Sequence, residues 1–431
     1  MPLKKYFRDI LSVQAFQDNP SYIPRDKKFE IAPRKALVVV GVRRCGKSTF
    51  LQQIADDLIS TGRATIDDIV YIHFADERLT QLKGQDLGII LEVLEELRPG
   101  RKKFYLFFDE IQFVDGWGRF VERLLRSSRY QVYLSGSNAR LLSREIATEM
   151  RGRSISEELF PLSFVEKLKW SKVPISSNGE SSRAAIRRVF QEYRRVGGFP
   201  EVQGFGEYLW RKTLQEYLEV MLLRDIIERH NPKNPVAVGQ LMRIFLNQTG
   251  SLFTINRLFE KLKQTGLRLE KAQISEILSW FEDCYFFFHV PIFSKSVSKQ
   301  EINPRKIYSI DHGLVRACQA GTDELSSHLL ENIAFLHLRK MEQKIFYYKT
   351  RTGHEVDFIV PTGKTFRLIQ VCETLNGVPE TREREIRALR SAMSELDLDK
   401  AEIWTADEDT NVKTPEGTIE VKALWRVLIE A

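Results

Sequence analysis

Gly41-Val42-Arg43-Arg44-Cys45-Gly46-Lys47-Ser48-Thr49 follows the apolar run Ala36-Leu37-Val38-Val39-Val40 and runs into Phe50-Leu51-Gln52-Gln53-Ile54-Ala55. The apolar run reads as a buried strand and the later residues as a helix, so the glycine-bearing stretch is a strand-to-helix loop. A Walker A phosphate loop needs that setting, because its backbone N–H groups wrap around phosphate oxygens at a helix N-terminus. Lys47 is placed to reach the β- and γ-phosphates of a nucleotide, and the Ser48 hydroxyl to sit on Mg²⁺. Gly41 to Thr49 are the candidate nucleotide-binding residues.

The other half of such a site is expected at the end of a second buried strand. Phe104-Tyr105-Leu106-Phe107-Phe108 is a continuous apolar run closed by Asp109-Glu110, the Walker B pattern. A parallel strand covered on both faces reads in this way, and open α/β sheets bind ligands at the C-terminal ends of their strands. Asp109 would complete the Mg²⁺ shell. Glu110 would orient and polarise the attacking water.

The chain has 431 residues, 43% of them hydrophobic and 29% charged, enough for two to four domains with real cores. The apolar neighbourhood from Tyr285 to Phe293 is too short to span a bilayer and contains His289 and Pro291. The first nine residues, with Lys4, Lys5 and Arg8, hold no apolar segment of signal-peptide length. Cys45, Cys284, Cys318 and Cys372 are scattered without metal-ligand spacing, which fits reduced thiols in a cytoplasmic protein. Cys45, beside the phosphates, would make the site sensitive to oxidants. The net charge of +7 is uneven: residues 1–160, 161–235 and 236–320 each carry +4, and 321–431 carry −5. That excess permits a nucleic-acid partner without demanding one.

Ile69-Val70-Tyr71-Ile72-His73-Phe74, Gln131 to Ser135 and Ser154 to Leu159 read as further core strands, with a helix over Leu87 to Leu97 and another over Leu141 to Met150. Alternating strands and helices predict a parallel sheet covered on both faces. Ser176-Ser177-Asn178-Gly179-Glu180-Ser181-Ser182 reads as a mobile loop. Asn138, with Ser137 in reserve, follows the strand beside Walker B and could contact the γ-phosphate or the attacking water. Arg153 or Arg151 could reach a neighbouring subunit's nucleotide as a trans arginine finger.

These residues together resemble the AAA+ superfamily ATPases of bacteria and archaea that carry a C-terminal domain of unknown function. The marks are the phosphate loop, Asp109-Glu110-Ile111-Gln112 with Gly116-Trp117, Ser135-Gly136-Ser137-Asn138 and Arg151-Gly152-Arg153. They continue through Leu159-Phe160-Pro161-Leu162-Ser163-Phe164, Gly197-Gly198-Phe199-Pro200-Glu201 and Leu222-Leu223-Arg224-Asp225-Ile226. The resemblance implies an α/β fold with a parallel-sheet ATPase core over 1–160 and a helical lid or linker over 161–235. A winged-helix module would follow over 236–320, then an α/β restriction-endonuclease-like domain over 321–431. It also implies ATP as nucleotide, Asn138 as sensor 1, and a homo-oligomeric ring such as a hexamer, with nucleotide between core and helical segment.

Within the winged-helix segment, Leu241 to Leu246, Ile255 to Lys263 and Lys271 to Phe281 read as helices, and Tyr285 to Ile310 as a wing hairpin. The third helix and its flanks carry Glu270, Glu276, Glu282 and Asp283 against Lys271, which opposes ordinary major-groove reading. Lys295, Lys299, Arg305 and Lys306 of the wing are better phosphate contacts. In the last segment, Gly353 to Val360 and Leu368 to Cys372 are similar to the PD-(D/E)xK nuclease core. Asp357 and Gln370 fit two of its metal-binding roles, and Glu331 could add a third ligand. Cys372 stands where that core has its lysine, removing a cation that stabilises hydroxide and phosphorane charge; Lys349 or Lys364 could substitute. The domain is therefore expected to be a degenerate scaffold.

The function these readings favour is ATP binding and hydrolysis by an oligomeric machine that remodels a partner, with DNA as that partner and no membrane. The alternatives are a nucleotide-controlled switch and an ATP-gated nuclease.

Overall fold

The computed structural model describes residues 2–12, 22–27, 32–136, 152–175, 179–267, 269–319, 326–341, 344–377 and 379–430. The chain divides into two units, Met1–Phe160 with Asp283–Tyr285, and Pro161–Glu282 with Phe286–Ala431.

In the first unit, β1 (Ala36–Val40), β2 (Ile69–His73), β3 (Phe104–Asp109), β4 (Tyr130–Gly136) and β5 (Ser154–Glu158) form one sheet in the order β2-β3-β4-β1-β5. Every neighbouring pair is parallel. All residues of β1 and β3 are buried, as expected of strands covered on both faces. Across that interior Phe107 stacks on Tyr133 with ring centres 4.5 Å apart, and Phe74 meets Phe108 edge-on at 5.5 Å. Because all five strands run the same way, the ends of β1, β3 and β4 share one edge. β4 lies between the strand that feeds the glycine loop and the strand that ends in the acid pair.

The second unit opens with Ser163, whose side chain caps the helix Phe164–Trp170 while Glu166 returns the bond to the Ser163 N–H, a reciprocal capping box. Helices Glu180–Val196 and Glu207–Val220 follow, the latter running on through a π-helical stretch, Met221–Ile227. Glu180, Ser181 and Ser182 thus form the first turn of a helix instead of a mobile loop; Gly179, at φ 96°, starts it. The rest of that expected loop, 176–178, and the expected helix over 141–150 lie outside the described residues.

The phrases around Pro161 and Gly197 have a packing explanation. Leu162 N–H donates to the Gly198 carbonyl at 2.7 Å, and Gly198 N–H to Asp311 Oδ2 at 2.6 Å. A Cβ on Gly197 would stand 2.3 Å from Asp311 Oδ1, and one on Gly198 2.5 Å from the Leu162 carbonyl oxygen. Only glycine admits that approach.

Helices Pro235–Asn247, Ile255–Gln264 and Lys271–Asp283 are joined by a small antiparallel sheet of β6 (Leu252–Phe253), β7 (Phe287–Val290) and β8 (Arg305–Ser309), in the order β6-β8-β7. The expected wing hairpin is interrupted by a helix, Val297–Ile302. The unit ends in a six-stranded mixed sheet: β9 (Phe346–Lys349), β10 (Glu355–Thr362), β11 (Thr365–Val371), β12 (Lys400–Thr405), β13 (Thr410–Thr414) and β14 (Gly417–Ala423). Their order is β13-β14-β12-β11-β10-β9. Against it pack the helices Ser326–Lys340 and Pro379–Leu396, the latter with Leu389 and Met393 fully buried. Among the described residues no helix is long and apolar enough to cross a membrane.

Candidate active site

The loop leaves β1 at Gly41 and enters the helix Lys47–Ser60 at Gly46, which is left-handed at φ 98°. A Cβ at Gly41 would lie 2.1 Å from the Leu159 carbonyl oxygen, so the loop can hug β5 only with glycine there. Lys47 is buried and folds back over the loop, donating to the Gly41 and Val42 carbonyls at 3.2 and 3.1 Å. Its ammonium stands 4.0 Å from Glu110 Oε1. Ser48, in the first helical turn, lies beside Asp109 and helps hold its carboxyl down. The sheet order thus brings Lys47 and Ser48 to the acid pair across the end of β4.

Asp109 is fully buried. Its Oδ2 accepts from Tyr71 OH at 2.7 Å and lies 3.3 Å from His73 Nδ1; its Oδ1 accepts from Ser135 Oγ. Burial pushes the carboxyl up, but the bonds from His73, Ser135, Ser48 and Tyr71 outweigh it and hold the pKa at about 2. The same contact raises His73 above the ordinary imidazole value. Glu110 N–H donates to Ser135 Oγ at 3.1 Å, and Gln112 Nε2 donates to Glu110 Oε2. Glu110 itself is left-handed, at φ 54° and ψ 44°.

Tyr71, His73 and Arg25 belong to no motif, and Ser135 stands in the sequence only as the first residue of a family mark. Tyr71 and His73 share a face of β2 by strand periodicity, which was the available signal for them. Nothing local marked Arg25. Buried, it donates through Nη1 to the Cys45 carbonyl at 2.9 Å and through Nη2 to the Phe160 carbonyl. It therefore braces the loop's backbone from outside.

The residues fit a nucleotide phosphate with its metal. The loop offers backbone held against β5 by Gly41 and left-handed at Gly46, a lysine that can leave neutral carbonyls for phosphate oxygens, and a hydroxyl and a carboxylate of the hard oxygen type that Mg²⁺ takes. Ser48 and Asp109 would hold the ion.

Other expected residues fare differently. Cys45 is wholly buried, and burial pushes its thiol above the usual value despite Lys47 and Arg25. That corrects the expectation of oxidant sensitivity, since a buried thiol kept protonated is a poor nucleophile. Asn138, Ser137 and Arg151 lie outside the described residues. Arg153 stands just before β5, where its carbonyl accepts from Ala36 N–H at 2.9 Å. This is the start of β1, a strand length of about 16 Å from the chain's own phosphate loop.

In the C-terminal sheet, Glu331, Asp357 and Gln370 do come together. Asp357 N–H donates to Gln370 Oε1 at 3.2 Å, and Val371 N–H to Asp357 Oδ2 at 2.9 Å. Into this cluster comes Lys306 of β8, at 2.7 Å from Asp357, 2.9 Å from Glu355 and 3.0 Å from Glu331. Lys306 is 2% exposed, so the expected wing contact to phosphate at this position is corrected: the side chain points inward. Lys295 and Lys299 are exposed.

Family models match the chain in three pieces: an AAA domain over residues 33–168, a domain of unknown function (DUF8612) over 187–325, and another (DUF4143) over 326–425. An uncharacterized protein of Methanocaldococcus jannaschii is 33% identical over 415 residues, covering 94% of this chain and 90% of that protein. This chain belongs to the same family, AAA-domain P-loop ATPases with C-terminal domains of unknown function. An uncharacterized protein of Haemophilus influenzae is 28% identical, covering 78% of this chain and 81% of its own length. Among solved structures, Cdc6p from Pyrobaculum aerophilum aligns with 70% of the chain and 88% of its own at 14% identity, with a TM-score of 0.26. That likeness is too slight to carry an argument.

Proposed function

We propose that the chain binds and hydrolyses ATP with Mg²⁺ as a homo-oligomeric AAA+ machine, and couples turnover to remodelling of DNA. The observation that carries this reading is the Lys47 ammonium of the glycine loop standing 4.0 Å from Glu110 of the acid pair, with Ser48 beside Asp109. Two distant stretches of sequence meet there as one donor and acceptor set at the mouth of the glycine loop.

Gly41 to Thr49 would grip the phosphates through backbone N–H groups, and Lys47 would exchange its carbonyl partners for β/γ-oxygens. Mg²⁺, held by Ser48 and Asp109, supplies charge neutralisation to the phosphates. Glu110 would orient the attacking water and take its proton, with Gln112 and Ser135 fixing the carboxylate and its backbone. Asn138 is assigned the sensor position. Arg151 or Arg153 would act on a neighbouring subunit's nucleotide; the place of Arg153, at the far end of β1 from its own loop, favours such use. The excess of +4 in each of the first three segments and the exposed Lys295 and Lys299 favour a polyanionic partner.

The test is ATPase rate and particle size, measured with and without DNA and with a slowly hydrolysed ATP analogue. The reading expects DNA-stimulated turnover and analogue-dependent assembly. Turnover by a persistent monomer indifferent to DNA would reduce it to a bare ATPase, and absence of Mg²⁺-dependent ATP binding would overturn it entirely.

A further inference from the structure

The acidic cluster of Glu331, Glu355 and Asp357 draws carboxylates from a helix and a strand to one point, an arrangement that ordinarily collects a divalent ion. Here the point is already filled. Lys306 Nζ lies 2.7 to 3.0 Å from one oxygen of each carboxylate. An ammonium has three N–H donors, and three acceptors consume them. We propose that the Lys306 ammonium is the resident cation of this cluster, in place of a divalent metal.

Two of these carboxylates have further donors. Glu331 Oε1 also accepts from Tyr308 OH at 2.6 Å, and Asp357 Oδ2 accepts from Val371 N–H at 2.9 Å. A metal bound there would need several oxygens at about 2.0–2.6 Å, a volume that Nζ and its bonds occupy. Lys306, Glu331 and Asp357 are 2%, 5% and 7% exposed; the Glu355 side chain, one-third exposed, forms the cluster's outer edge. Burial works against the charge on Lys306, yet Asp357 and Glu331 hold its pKa well above the usual lysine value, so the cation is permanent.

The substitution has a mechanical meaning. Lys306 belongs to β8, which pairs with β6 and β7, whereas its partners belong to β10 and the helix Ser326–Lys340. The cation that would serve catalysis in an open nuclease centre instead fastens the small sheet to the large one.

Mn²⁺ binding to the full-length protein, followed by electron paramagnetic resonance without nucleotide, tests this in an Asp109→Asn background that silences the other acid site. The parent is expected to take up no Mn²⁺ that depends on Asp357. Lys306→Ala should gain one such ion, with affinity at least about tenfold above the parent's, and its melting temperature alone should rise with Mn²⁺. Adding Asp357→Asn should erase both gains. Mn²⁺ bound by the parent and lost on Asp357→Asn overturns the proposal, and so does a folded Lys306→Ala protein that gains no site. Should Lys306→Ala fail to fold, the parent and Asp357→Asn proteins decide the matter alone.

Discussion

Asp109 at the end of β3 and Asp357 on β10 are both buried strand carboxylates, and their surroundings drive them in opposite directions. Four neutral or imidazole donors surround Asp109 and hold it at about 2. Asp357 is pushed up to about 7, first by burial and then by Glu331, with Lys306 pulling it back only in part. The first acid is kept ionised by hydrogen-bond donors and so can receive a cation. The second shares an internal ammonium with two other carboxylates and has no use for an external ion. Burial alone therefore does not mark a catalytic acid; the identity of the groups facing it does.

The largest effect that could break this comparison lies at the first site. Lys47→Ala should lower ATP turnover by about 10²–10³-fold or more, the scale for removing one preorganised electrostatic partner. Glu110→Gln should retain nucleotide binding by calorimetry while turnover falls about 10²–10⁴-fold, the scale of general-base loss. Wild-type rates from either variant would remove the assignment of this centre.

At the second site the expected effect is on folding. Lys306→Met strands the buried carboxylates of Glu331 and Asp357 and the part-exposed Glu355, and should cost about 3–5 kcal/mol in denaturant unfolding, as breaking a buried ion pair does. The Lys306→Met/Asp357→Asn double variant should recover part of that loss. A cost below about 1 kcal/mol would mean the ammonium is not buried among those acids.

A smaller and more diagnostic effect is the pH dependence. A carboxyl whose folded pKa exceeds its unfolded value binds its proton more tightly in the folded chain. Asp357's contribution is therefore whole below about pH 4 and lost as pH rises through about 7, with a slope of up to about 1.4 kcal/mol per unit. Asp109 behaves the other way, contributing above about pH 4 and losing it as pH falls toward 2. Asp357→Asn should flatten the stability profile between pH 4 and 7, and an unchanged slope would contradict the contrast.

The smallest expected effect concerns Arg25. Arg25→Ala should raise the KM for ATP a few-fold at nearly constant kcat, because the guanidinium touches the loop's carbonyl and no reacting atom. A collapse of kcat at unchanged KM would place Arg25 in the chemistry itself.

The first site was legible because its parts are contiguous: nine residues of loop, and a strand ending in two acids, each with an apolar run that names its element. The parallel core followed from the same runs. Its second layer was not. Tyr71 and His73 acquire meaning only once β2 is known to neighbour β3, and Arg25 only once its segment lies against the loop. At the C-terminal cluster the absence of lysine at Cys372 was visible, but its replacement was not. Lys306 meets partners 25 and 51 positions away on other elements, and it sits in a stretch whose charge pattern suggested an exposed wing. Glu180 to Ser182 misled for a related reason, because polar small residues fit either a loop or a capped first turn.

One backbone detail bears on how this protein could be engineered. Glu110 carries a side chain in the left-handed region, where residues other than glycine lose about 1–2 kcal/mol. A library selected for heat resistance alone should therefore drift toward glycine at position 110, gaining stability as it discards the carboxylate proposed to guide the attacking water. Thermal selection and catalytic selection pull against each other at that single residue, so any stabilised version must find its gain elsewhere.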